Sequence, residues 1–161
     1  PSRPVEVIWL GHPAHTAGDL VVYLPKQKIL FAGDVVWNRS VPWLLDPAMS
    51  VDGWVASLDS LGTRSFQIDS LIPGHGTIPS RPLQAISFTL RYLTDAREKA
   101  SKFASWGTPV RSVRDWGYLG AYENLEFYTE VHIMNMRRLY NEARGIKTPG
   151  RRNSGAVKRG T

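Results

Sequence analysis

Three side chains in this sequence combine metal-ligand chemistry with a setting that could use it: His15, Asp34 and His75. Neutral imidazole nitrogen and carboxylate oxygen are donors that zinc and similar divalent ions accept. Each residue sits among glycines: His15 in Gly11-His12-Pro13-Ala14-His15-Thr16-Ala17-Gly18-Asp19, Asp34 in Phe31-Ala32-Gly33-Asp34, and His75 in Ile72-Pro73-Gly74-His75-Gly76. Glycine lets a backbone enter positive φ and turn sharply, which aims a neighbouring side chain. Taken singly, each has a plainer reading. A loop histidine is commonly solvated, an Asp after Gly commonly forms a turn or caps a helix, and Pro-Gly-His-Gly can be a turn alone. Together they gain weight, because each follows a predicted strand. Strands that end at one rim of a sheet gather residues distant in sequence.

The elements that would do this positioning are legible in the hydropathy pattern. Val5 to Leu10 is short, β-branched and aromatic, and stops at Gly11, as a strand does. Leu20 to Leu24 and Ile29 to Ala32 flank the polar turn Pro25-Lys26-Gln27-Lys28 and form a candidate hairpin. The third strand is expected to stop at Gly33-Asp34, and residues 35–50, with Pro42 and Pro47, to form a long loop of the kind that is often functional. A helix follows, with Asp52 as its cap, Trp54, Val55, Leu58 and Leu61 at helical spacing, and Gly62 at its end. Ile68 to Ile72 predicts a fourth strand leading into Pro73-Gly74-His75-Gly76. Beyond it the period is helical, with helices expected over 81–106 and 123–143 and a Trp/Tyr/Gly stretch between them.

Composition narrows the classes. The 161 residues are 42% apolar, which suits one domain or most of one. No apolar run approaches the roughly 20 residues that span a bilayer, and no signal-peptide pattern opens the chain. Nothing here chooses between a cytoplasmic and a periplasmic location. The sequence has no Cys, which removes thiolate zinc sites, cysteine nucleophiles and disulfides. The net charge is +6, of which +5 lies at Lys147, Arg151, Arg152, Lys158 and Arg159, so residues 1–146 carry about +1. That Gly/Ser-rich stretch, 147–161, reads as a basic disordered tail. A nearly neutral body disfavours nucleic acid as a partner.

Ala14-His15-Thr16-Ala17-Gly18-Asp19-Leu20-Val21-Val22-Tyr23-Leu24-Pro25, Leu30-Phe31-Ala32-Gly33-Asp34 and Leu71-Ile72-Pro73-Gly74-His75-Gly76 occur in an order and spacing that resemble the second half of a metallo-β-lactamase superfamily hydrolase. The segment from Asp52 to Leu61 matches the helix that the family places between the second and third motifs. The resemblance covers about residues 5–95. It implies an α/β fold, the second half of an αββα sandwich, with a mixed sheet, flanking helices and a C-terminal helical segment. Residues 1–146 would then be a partial domain.

By the same resemblance, His15 corresponds to the third histidine of a first metal site, Asp34 to the carboxylate bridging two metals, and His75 to the terminal histidine of the second site. Asp34 is thereby also the candidate catalytic residue. The family's His-x-His-x-Asp-His motif is missing, since the four histidines are His12, His15, His75 and His132. Its absence, and a start at Pro1, lead to the expectation that the remaining ligands lie in a missing N-terminal half of the same domain. This chain alone is expected to be inactive and to expose a sheet face.

The implied activity is hydrolysis of an ester, thioester or similar acyl bond in a small-molecule substrate. Two zinc ions about 3.5–4 Å apart would lower the pKa of water to around 7. The bridging Asp resembles glyoxalase II-like general hydrolases, whereas true β-lactamases of the family usually have Cys or Ser there. A β-lactam or phosphodiester hydrolase, or a non-catalytic binding module of the same fold, are the alternatives. Thr16 and Asp19 are expected to fix the His15 loop. Trp37, Trp43 and Leu44 are candidate walls of an apolar pocket, Tyr118 and Tyr122 candidate substrate contacts, and His132 a structural histidine.

Overall fold

A computed structural model describes residues 3–63 and 67–146; the expected tail, 147–161, lies outside them. Four strands form one mixed sheet in the order β1 (Glu6–Trp9), β2 (Leu20–Leu24), β3 (Ile29–Asn38), β4 (Ser70–Gly76). The first three run antiparallel, and β4 lies parallel to β3. A parallel neighbour needs a crossover, here the helix α1 (Val51–Thr63). The hairpin expected at 25–28 joins β2 to β3, with Lys28 taking a positive φ of 54° to close it.

One face of the sheet carries Val21, Tyr23, Leu30 and Leu71, all buried under helices. The long helix α2 (Pro82–Ser105) packs on β3, on α1 and on α4 (Ile133–Ala143). Its buried face, Ala85, Ile86, Thr89, Tyr92, Leu93, Ala96, Ala100 and Ala104, follows the helical spacing seen in the sequence. The many alanines let neighbouring helices approach closely. Pro82 sits in the first turn, where a missing N–H costs little.

The opposite face is apolar and open. The pairings Val7↔Val22, Trp9↔Leu20, Val22↔Phe31 and Phe31↔Ile72 place these side chains on that one face. Val7 is 64% exposed, Trp9 58%, Leu20 54% and Phe31 42%.

Three expectations need correction. β3 does not stop at Asp34 but continues to Asn38, so Asp34 lies inside a strand and the loop begins at Arg39. Along this longer strand the register against β4 slips twice, between Phe31 and Gly33 and again between Gly33 and Trp37. Pro73, paired with Gly33, has no N–H to give the ladder, and such sites fall at bulges. Ser50, not Asp52, caps α1: its Oγ accepts from the Gly53 N–H at 3.1 Å, while Asp52 pairs with Arg97. The helix expected over 123–143 is divided. A turn runs from Glu123 to Phe127, a π-helical segment covers Tyr128–His132, and α4 begins only at Ile133. Three short helical pieces, Val110–Ser112, α3 (Val113–Trp116) and Gly120–Tyr122, precede it. No helix among the described residues is long and apolar enough to cross a membrane.

Candidate metal centre

The loop that carries His15 is tied by Asp19. Its Oδ2 accepts from the Thr16 N–H at 2.9 Å and the Ala14 N–H at 3.2 Å, and its Oδ1 accepts from the Thr16 hydroxyl at 2.9 Å. Three bonds to one carboxylate hold a compact turn. The same loop is pressed against the start of α1, where the Ser50 N–H donates to the Ala14 carbonyl at 3.1 Å. At Gly53 an added Cβ would lie 2.0 Å from the Pro13 carbonyl oxygen, so only glycine admits that approach. His15 projects between two indoles, edge-on to Trp54 at 5.3 Å and tilted against Trp37 at 6.2 Å.

Asp34 receives both other candidates. Its Oδ2 lies 3.9 Å from His15 Nδ1, and its Oδ1 lies 3.4 Å from His75 Nε2. The slipped register of β3 and β4 sets this approach. Gly74 leaves the space: a Cβ there would meet Asp34 Oδ1 at 2.1 Å and the Asp34 nitrogen at 2.7 Å. His75 is backed by Trp37, whose ring lies 3.9 Å away and nearly parallel. The Trp37 Nε1–H donates to the Asp34 carbonyl at 2.7 Å, so one indole orders both residues.

The donor set fits divalent cations in part. Ligand atoms at about 2.0–2.2 Å from one tetrahedral ion stand roughly 3.3 Å apart, close to the Asp34–His75 separation. The second oxygen of Asp34 faces His15, so one carboxylate addresses two imidazoles through different oxygens. Yet no group of three or more His, Cys, Asp or Glu among the described residues forms a cage able to hold an ion by itself. The side chains meet as two pairs sharing a carboxylate, which suits two partial sites better than one complete site.

These residues open into a cleft of about 230 Å³ lined by His15, Asp34, Trp37, Trp43, His75 and Phe127. Trp37 and Trp43 thus take the wall positions expected of them, whereas Leu44 is fully buried behind. Tyr118 and Tyr122 do not line it. Tyr118 bonds Glu123 at the surface, and Tyr122 donates to Asp95 beside Phe88 and Tyr92. His12 lies exposed on the loop and is not among the lining residues. Phe127 is the wall that the sequence did not announce; its one local clue was apolar character, within the helix expected over 123–143. A larger cleft of about 570 Å³, with Asn38, Arg39, Gln84 and Arg91 in its walls, contains neither carboxylate nor imidazole.

His132 is wholly buried and structural. Its Nε2 meets the Gly117 carbonyl at 2.8 Å, which requires an N–H there, so Nδ1 accepts from the Tyr92 hydroxyl at 2.9 Å. Burial holds its pKa below the ordinary histidine value, against the raising effect of the Gly117 bond. Burial likewise pushes the Tyr92 hydroxyl well above its usual range.

Comparison with known proteins agrees with the fold. Residues 3–76 match the family model of the metallo-beta-lactamase superfamily. A linear primary-alkylsulfatase from Pseudomonas sp. (strain ATCC 19151) is 31% identical over 100 residues, 57% of this chain and 18% of that protein. A metallo-beta-lactamase type 2 from Bacillus cereus is 32% identical over 83 residues, 51% of this chain and 32% of its own length. The solved metallo-beta-lactamase from Pontibacter korlensis superposes with a TM-score of 0.51 at 31% identity, over 58% of this chain and 42% of that one. The chain therefore resembles the metallo-β-lactamase superfamily over residues 3–76, and its mixed sheet and helices match part of that fold. It spans less than half the length of each of these relatives.

Proposed function

We propose that this protein acts as a metal-dependent hydrolase of an ester, thioester or similar acyl bond, with His15, Asp34 and His75 as ligands of a zinc centre. The observation that carries this reading is Asp34 facing His15 with one oxygen and His75 with the other, at 3.9 and 3.4 Å. Zinc held there would supply Lewis acidity toward the scissile bond and acidify water. Asp34 keeps the two imidazoles at a fixed separation. Asp19 holds the His15 loop, and Trp37 fixes His75 from behind. Three aromatic side chains flank the donors, which limits water beside the reacting bond and strengthens electrostatic interactions.

The ligands still required, and a cover for the apolar sheet face of Val7, Trp9, Leu20 and Phe31, are assigned in this reading to a further segment of the same domain. An open face of this size is unusual for a surface left to solvent. Residues 1–146 are accordingly read as a partial domain, and the 161 residues alone as inactive. A second substrate reading, sulfate-ester hydrolysis, is favoured by the relation to an alkylsulfatase.

The test compares the complete protein with its Asp34→Ala variant by elemental analysis and a substrate panel of thioester, carboxylic ester, alkyl sulfate, β-lactam and phosphodiester. About two zinc ions per chain and acyl hydrolysis are expected, both lost together in the variant. Full metal content and activity in Asp34→Ala would end the assignment, and cleavage of alkyl sulfate alone would replace acyl hydrolysis with the second reading.

A further inference from the structure

We infer that Phe127 is a specificity-determining residue, forming with Trp37 and Trp43 a subsite for an uncharged aryl or alkyl group next to the scissile bond. This rests on the hydrolase reading of the cleft. Phe127 lies outside residues 3–76 that match the superfamily model and is contributed by the C-terminal segment of this chain.

Its placement is held from both sides. The Val41 N–H donates to the Glu126 carbonyl at 2.9 Å, and the Glu126 N–H donates to the Arg39 carbonyl at 3.2 Å. These bonds, with the parallel bridge Ser40↔Glu126, tie the turn before Phe127 to the loop leaving β3. On the other side the Val131 N–H donates to the Phe127 carbonyl at 2.9 Å, joining Phe127 to the π-helical segment that follows it. Between them Phe127 takes φ 64°, a left-handed conformation that a bulky side chain adopts only when its surroundings impose it. Glycine would relieve that strain. A phenylalanine there turns its ring edge-on to His75, with centroids 6.1 Å apart, and remains half-buried at the cleft.

The chemistry of the walls selects the ligand. Apart from His15, Asp34 and His75, the lining is three aromatic side chains, which present a mainly apolar surface. The volume of about 230 Å³ exceeds the roughly 150 Å³ of an apolar cavity that accepts benzene. A phenyl ring or a short alkyl chain fits; each methylene moved from water into such a site strengthens binding by up to about fourfold.

The experiment titrates the complete protein calorimetrically with acetamide, hexanamide and phenylacetamide, and measures KM for acetyl, hexanoyl and phenylacetyl esters. Phenylacetamide and hexanamide are expected to bind at least tenfold more tightly than acetamide. Phe127→Ala should erase most of that ratio, Phe127→Leu should restore part of it, and Trp106→Ala, on the exposed end of α2, should leave it unchanged. Should Phe127→Ala fail to fold, Trp43→Ala on the exposed loop is expected to lower the same ratio. Equal binding of the three amides, or a ratio indifferent to Phe127→Ala or, in its place, to Trp43→Ala, overturns the inference. Amide discrimination through Phe127 without hydrolysis of any ester would remove the acyl-hydrolase reading and leave the subsite standing.

Discussion

The Trp37 indole lies on the His75 imidazole with ring centroids 3.9 Å apart and planes 18° from parallel, while its Nε1–H donates to the Asp34 carbonyl. Trp37 and His75 are also register partners across β3 and β4. The two strands that carry the candidate ligands are thus locked by a ring that belongs to one and covers the other.

That lock is anchored from α2. Thr89, fully buried, accepts from the Trp37 N–H at 3.0 Å, and its hydroxyl proton lies within reach of the Trp37 and Ala85 carbonyls. Thr89→Val keeps the shape and leaves the Trp37 N–H without its acceptor. A loss of about 1–3 kcal/mol is expected, read as a lowered midpoint in urea, with weaker zinc retention under a chelator. An unchanged midpoint would show that Thr89 does not hold the strand.

Gly74→Ala tests the close approach of β4 to Asp34. The new methyl would stand 2.1 Å from Asp34 Oδ1 and 2.7 Å from backbone, so the carboxylate must swing away or the strands must part. Metal content should fall sharply, and stability by about 1–3 kcal/mol, as overpacking does. Elemental analysis beside thermal unfolding separates the two effects.

His132 should give stability a pH dependence of known sign. Its folded pKa lies below the unfolded value of about 6.5, so between the two the unfolded chain binds more protons. The stability from neutral His132 is full above about pH 6.5 and falls away as pH drops toward the folded value, by at most about 1.4 kcal/mol per pH unit. Unfolding midpoints from pH 8 to 5 should decline more steeply for the native protein than for His132→Gln. Identical slopes would contradict the buried neutral imidazole.

The open sheet face makes a prediction about the 161 residues alone. With Trp9 and Phe31 at 58% and 42% exposure on one face, the isolated chain should self-associate, and Trp9→Lys with Phe31→Lys should reduce this in light scattering. In the complete protein the same pair should destabilise, because a covered position would then hold charge. Improved or unchanged stability there would argue that the face is not covered.

Much of this was legible because local chemistry writes it into short stretches. The strand at Leu20–Leu24, the hairpin at 25–28 and the helix over 82–105 follow from period and turn residues. Asp34 and His75 were identified by neighbouring glycines, yet their setting was misread as loop. Register slips between β3 and β4 depend on how two strands meet, which neither strand announces. The division of 123–143 was illegible for a similar reason. Asn135 on α4 accepts from the Leu44 N–H at 3.1 Å and donates to the Pro42 carbonyl at 2.7 Å, partners more than 90 residues away that fix where that helix can begin.

The order of residues alone determined which side chains are candidate cation ligands and that a strand leads into each, since donor chemistry and alternation are local properties. Tertiary structure decided that one carboxylate turns a different oxygen to each imidazole, and that Phe127 closes the cleft from a distant segment. Distances between remote residues come from packing a whole sheet against its helices, and no window of sequence contains that sum of contacts.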